Sequence, residues 1–213
     1  MNTKKVPAPW KLTGRGYILL YRFNTEFLVS QASISKSEAE NFKGGFGVVM
    51  LVDYTSSNVG PYQELLFIPG KFKIGDGSWN QISQIYVSSQ ESVENGKENW
   101  GIPKELAQFN FTTLGKGKEV IEVSREGNQF FQATLQSFGF MFPVHTALMS
   151  FPLMQKHHGH YLQTTFTGKG WGRLTKVEEL WVDEKYFPNI ALKKPLVVIE
   201  VRNFKIIFPE AIK

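Results

Sequence analysis

Residues 119–125 (EVIEVSR) and 129–135 (QFFQATL) flank Glu126-Gly127-Asn128, and no other stretch of the chain restricts its fold as tightly. Glycine and asparagine tolerate positive φ, so the two β-prone runs are predicted to pair as a hairpin. Comparable runs recur along the chain. Residues 16–23 predict a first strand, and 46–54, continuously apolar, predict a strand buried on both faces. Residues 64–68 and 82–87 predict two more, separated by a turn region around Gly70, Gly75 and Gly77, and 161–166, 175–181, 196–201 and 205–208 continue the series. Helical signals are few. Ser35 with Glu38 forms a capping box for a short helix over 35–42. Residues 89–99 resemble a short polar helix, which Gly101 and Pro103 end, so that Lys104 begins an extended segment. Many short strands and few helices imply a mainly β (α+β) chain, a sandwich or barrel.

At 213 residues, 42% hydrophobic and with 18 phenylalanines, the chain has ample material for one core. No repeat or linker divides it, so a single domain over residues 1–213 is expected. The absence of cysteine excludes disulfides, thiol nucleophiles and thiolate metal sites, and fits a reducing compartment. The lead, residues 1–9, has no apolar region of signal-peptide length, and apolar runs such as 46–52 fall far short of the ~20 residues of a spanning helix. A cytoplasmic location without membrane association is therefore expected. Net charge is +5, yet basic residues are scattered singly or in pairs, so nucleic acid is not an expected partner.

Several motifs resolve into bland readings. Gly14-Arg15-Gly16, Gly115-Lys116-Gly117 and Gly168-Lys169-Gly170-Trp171-Gly172 lack the spacing of phosphate loops and read as hairpin turns. In His157-His158-Gly159-His160, His158 and His160 share one side if the segment is extended, but no nearby carboxylate completes a ligand set, and a loop histidine cluster is expected rather than a metal site. His145 has no Gly-x-Ser-x-Gly elbow to serve.

Lys104 differs in its framing, within Gly96-Lys97-Glu98-Asn99-Trp100-Gly101-Ile102-Pro103-Lys104-Glu105-Leu106. An amine attacks a carbonyl only with a free lone pair, and an ordinary lysine, with pKa about 10.4, is almost wholly protonated at neutral pH. Desolvation by Trp100, Ile102, Leu106 and Phe109 is one way to favour the neutral form. The residue pattern alone also leaves Lys104 readable as a surface strand lysine.

This segment resembles the active-site stretch of the acetoacetate decarboxylase family, approximately Gly-Arg-Glu, four variable residues, then Pro-Lys-Lys. Gly96, Glu98, Pro103 and Lys104 match it without a gap, with Lys104 at the position of the family's Schiff-base lysine. Tyr62-Gln63-Glu64 resembles the family's Tyr-x-Glu, which makes Glu64 a candidate active-site carboxylate. Gly14-Arg15-Gly16-Tyr17 with Tyr21-Arg22 resembles an early strand whose arginine faces the pocket, so that Arg15 would hold a substrate carboxylate. The resemblance implies an antiparallel β-barrel or double-layered sheet with an interior pocket, assembly from several copies of the chain, and no metal or organic cofactor. It further implies a lyase acting on a β-keto acid or related keto compound through an iminium on Lys104. An aldolase or dehydratase using the same iminium, or a barrel that binds a small apolar or keto-bearing ligand without turnover, are the alternatives.

The sequence departs from the family in three places. Glu105 stands where a second lysine is expected, Lys97 replaces the motif's arginine, and the apolar run Val48-Val49-Met50-Leu51 leaves no carboxylate where the family has one. At about 6.5 Å and an effective dielectric of 20, an anionic Glu105 would favour the lysine's charged form by roughly 2.5 kcal/mol. Successive strand residues point to opposite faces, so Glu105 is expected to face away from any pocket that Lys104 enters.

Overall fold

The computed structural model describes residues 4–32, 34–148 and 151–213. The first three residues of the lead, read above as part of a segment without an export signal, lie outside the described residues. In chain order the elements are β1 (Trp10–Tyr21), α1 (Thr25–Gln31), α2 (Lys36–Ala39), β2 (Phe42–Gly44), β3 (Gly47–Ser56), β4 (Tyr62–Ile68), β5 (Lys71–Ile74), β6 (Gly77–Asn80) and β7 (Gln84–Val87). After these come α3 (Gln90–Trp100), β8 (Lys104–Leu106), β9 (Gln108–Gly115), β10 (Lys118–Arg125), β11 (Asn128–His145), β12 (Leu153–His157), β13 (His160–Thr164), β14 (Thr167–Val182) and β15 (Val197–Phe208).

One sheet runs β8-β7-β4-β3-β1-β15-β14-β11-β10-β9 and a smaller one runs β13-β12-β6-β5-β2. Pairing is antiparallel except between β7 and β8 and at a single β6–β12 contact. The large sheet curls on itself. Leu19, Leu51 and Leu65 on one half belong to the same buried cluster as Ile121, Val123 and Leu135 on the other. Burying each such side chain contributes about 1.5–3 kcal/mol, and this closes the half-barrel. Because side chains alternate, the same strands send Val48, Val52, Tyr54 and Leu66 to the opposite face, where Trp100 of α3 and Leu153 of β12 cover them. Two covered faces explain why β3 reads as an uninterrupted apolar run.

The structure corrects several local readings. Gly14 and Gly16 lie within β1, and Gly168, Gly170 and Gly172 lie within β14, not in turns. They serve close strand approach: a Cβ on Gly14 would stand 2.2 Å from the Asp53 carbonyl oxygen, and one on Gly172 2.5 Å from Val144 Cγ2. Only Gly115-Lys116-Gly117 joins two paired strands, β9 and β10. The glycine region at 70–77 contains the hairpin β5–β6. Between β10 and β11 the positive φ angles fall on Glu126 (53°) and Gly127 (81°), and Asn128 already belongs to the strand. Helix α1 was not expected; Asn24 caps it by accepting from the Phe27 N–H. The predicted helix after Ser35 exists with its capping box but is short, because residue 42 starts β2.

Candidate active site

The site begins with the way α3 stops. Ser89 caps the N-terminus by accepting from the Ser92 N–H. At the other end Gly101 is left-handed (φ 66°), its N–H donates to the Gly96 and Lys97 carbonyls, and the Ile102 N–H donates back to Gly96. Such a reversal calls for glycine, since a side chain is strained at positive φ. Pro103 then prevents the helix from resuming. The chain emerges extended, and β8 pairs in parallel with β7, placing Lys104 beside Ile85.

Ile85 and Lys104 face the side of the sheet covered by α3 and β12. Glu64 reaches the same side from β4, where it pairs with Val52 and Val87. Both ionisable side chains are buried, each residue only 4% exposed. Lys104 Nζ lies 3.2 Å from Glu64 Oε2 and 3.0 Å from Ser92 Oγ. Two charges removed from water at such cost persist only as a pair. The Tyr54 hydroxyl donates to Glu64 Oε1 at 3.2 Å, so the second carboxylate oxygen is also satisfied. The Tyr62 ring face lies 5.1 Å from Nζ, within cation–π range.

Gly96 supplies the space that the lysine stem occupies. A Cβ there would stand 2.7 Å from Lys104 Cδ and 2.9 Å from Cε. Gly96 and Ser92 are one helical turn apart on the same face of α3, so one makes room for the stem while the other holds its tip. Burial, and then the Glu64 charge, raise the pKa values of Tyr54 and Tyr62 well above the ordinary tyrosine value. Both phenols therefore remain neutral around pH 7, and Tyr54 acts as a hydrogen-bond donor.

Beside the pair is a cavity of about 70 Å³, walled by Trp10, Met50, Ile82, Leu153, Phe166 and other largely apolar side chains. At ~30 Å³ per water in the liquid, it has room for about two waters, or a ligand of a few heavy atoms. Met50 stands on β3, where the family resemblance would have placed a carboxylate.

Lys104 and Glu64 are thus brought together, and Arg15 is not. Arg15 lies opposite Asp53 on the other face of the sheet, where its Nη1 donates to both Glu119 oxygens at 2.8 and 2.9 Å and its Nε donates to Asp53 at 3.3 Å. Burial opposes this guanidinium's charge, but Glu119 and Asp53 more than offset it and the pKa is raised. Strand alternation explains the difference, since Val52, paired with Glu64, lies on the cavity side of the sheet and its neighbour Asp53 cannot. The pocket likewise lies outside the curled sheet, not in its interior, which the apolar cluster fills. Glu105 points away from Lys104 and pairs with Arg125 of β10. The sequence reading missed Ser92 and Tyr54 and took Tyr62 only as part of the Tyr-x-Glu motif; the Ser92–Gly96 spacing was the available signal for the first. It also found no carboxylate for the histidine cluster, whereas Glu98 of α3 lies near His157 and His158. Among the described residues, no helix is long and apolar enough to cross a membrane.

Fold and site together define a mainly β protein that buries a lysine–carboxylate pair beside a small apolar cavity. The chain belongs to the acetoacetate decarboxylase family, whose profile, described as Acetoacetate decarboxylase (ADC), matches residues 13–155. Similar solved structures include an acetoacetate decarboxylase from Legionella pneumophila (TM-score 0.68, 13% identity, covering 99% of this chain and 88% of that one). The enduracididine biosynthesis enzyme MppR complexed with pyruvate is also similar (TM-score 0.66, 11% identity, covering 97% and 90%). A third is an acetoacetate decarboxylase-like enzyme from Sphingomonas wittichii RW1 (0.65, 11%, 97% and 92%). No curated protein matches the chain significantly.

Proposed function

We propose that the protein is a lyase that forms an iminium between Lys104 and a small keto compound, such as a β-keto acid. The observation that carries this reading is the buried Lys104 Nζ, held by Glu64 and Ser92 at the edge of a small apolar cavity. In the proposed cycle Glu64 takes a proton from the Lys104 ammonium, and the freed lone pair attacks the carbonyl carbon. The carbonyl oxygen leaves as water and an iminium remains. With a β-keto acid, the bond to the carboxylate breaks, its electron pair moves to the iminium nitrogen, and carbon dioxide departs. The enamine is protonated on carbon, and water hydrolyses the new iminium to a ketone and the free amine. Apolar walls would favour the second stage, because the carboxylate they desolvate is consumed in it. Ser92 positions Nζ, and Tyr54 holds Glu64 in place.

The MppR complex with pyruvate supports a small keto ligand for this fold. The largely apolar lining also suits the alternative, a pocket that binds such a ligand without turnover. One experiment separates the two: incubation with acetoacetate, pyruvate and acetone, reduction with borohydride, and mass mapping of the peptides. A reduced adduct confined to Lys104, with release of carbon dioxide from acetoacetate, is expected. A folded protein without an adduct across the panel would leave only the binding role.

A further inference from the structure

We propose that Glu98, His157 and His158 form a binding site for a divalent transition-metal ion of the zinc type, clamping α3 to the β12–β13 hairpin. One ligand atom from each of the three side chains lies within 4.8 Å of the others. Tetrahedral ligands at ~2.0–2.2 Å from zinc stand about 3.3–3.6 Å apart, so closure requires movements of about 1 Å, which side-chain rotation supplies. Two imidazoles and one carboxylate, with a water in the fourth position, are an established donor set for zinc.

The backbone brings these residues together for identifiable reasons. His158 (φ 48°) and Gly159 (φ 82°) turn the hairpin, and the turn leaves the neighbouring His157 and His158 rings with centroids 4.1 Å apart. His157 lies against the helix cap at Gly101, where a Cβ would come within 2.8 Å of His157 Cβ; glycine permits that approach. Glu98 is in the last turn of the same helix, at the end whose dipole favours a cation. Glu98 and His158 are exposed and His157 is half-buried, so an ion and its water can reach them.

The site is remote from the Lys104 chemistry but connected to its walls. Leu153, on the same strand as His157, and Trp100, two residues beyond Glu98, both line the cavity. A bound ion would fix the spacing of α3 and β12 and so the width of the cavity on that side.

The test is calorimetric titration of ZnCl2 into the untagged full-length chain, freed of metal with a chelator. One ion per chain is expected. Glu98→Gln, His157→Ala and His158→Ala should each weaken binding at least tenfold, while His160→Ala should change it less than twofold. Zinc titration of the unmodified protein, followed through its histidine ring resonances, gives the same answer without a variant: His157 and His158 should shift, and His145 and His160 should not. A stoichiometry far below one would overturn the proposal. So would binding that needs His160 and ignores Glu98, the mark of a bare histidine pair. Borohydride trapping at Lys104 is read separately, so failure here leaves the proposed function standing.

Discussion

Gly96→Ala tests the packing of the site with a single methyl group. The new Cβ would stand 2.7 Å from Lys104 Cδ and 2.9 Å from Cε, against about 3.5–4.0 Å for an ordinary carbon–carbon contact. The stem must therefore retreat by about 1 Å. It is flexible and can do so, but Nζ sits 3.0 Å from Ser92 and 3.2 Å from Glu64, so at least one of those bonds is lost. Replacing glycine by alanine inside a helix contributes about 0.5–1 kcal/mol of stability, which offsets part of that loss. The expected net change is about 1 kcal/mol, a shift of about 2–4 °C in Tm for a chain of this size. The effect on chemistry should be far larger, since misplacing a reacting group by ~1 Å costs on the order of 100-fold. Thermal melting together with the rate of borohydride trapping by acetoacetate measures both quantities. A wild-type trapping rate with an unchanged Tm would refute the contact argument. Wholesale unfolding would refute the claim that the stem can yield.

Three further outcomes are expected. Lys104→Met abolishes the adduct and strands the buried Glu64, costing about 3–5 kcal/mol, and adding Glu64→Leu restores most of it. Urea unfolding measures both, and a double variant no more stable than the single one would contradict the pairing. For Tyr54 and Tyr62, burial first and then Glu64 raise the pKa, so above pH ~10 the folded chain keeps protons that the unfolded chain has released. Stability is then whole below pH ~10 and falls as pH rises beyond it; melting between pH 9 and 11 should show this, with a shallower slope for Tyr54→Phe, and equal slopes would count against it. Finally, Arg15→Met should lower the Tm by leaving Glu119 unpaired yet keep the wild-type trapping rate at Lys104, whereas loss of trapping in a folded variant would place the arginine in the chemistry after all.

What could be read in advance was mostly local. Ser89, Gly101 and Pro103 carry the limits of α3 within a single short stretch, and with them the extended start at Lys104. Alternation carried the outward turn of Glu105, now seen against Arg125. Misreadings arose where a residue's meaning depended on a distant strand. The glycines of β14 look like turn formers in isolation, and only the side chains of Val144, Ile199 and Val201 reveal them as places of close approach. Arg15 was assigned to the pocket by analogy, but the side it takes follows from the register of β1 against β3, which has a shift next to Gly14. Glu98 and the histidines are far apart along the chain, and nothing short-range joins them.

The link Gly101-Ile102-Pro103 carries a further consequence. It joins the last turn of α3 to β8 with no slack, and β8 starts at Lys104. Removing one residue from it would slide β8 by a single step along β7 and exchange inside for outside. Glu105 would then be driven against Glu64 while the amine swung to the opposite face. The length of this three-residue hinge, as much as the identity of any side chain, decides whether the cavity receives a base or a second acid.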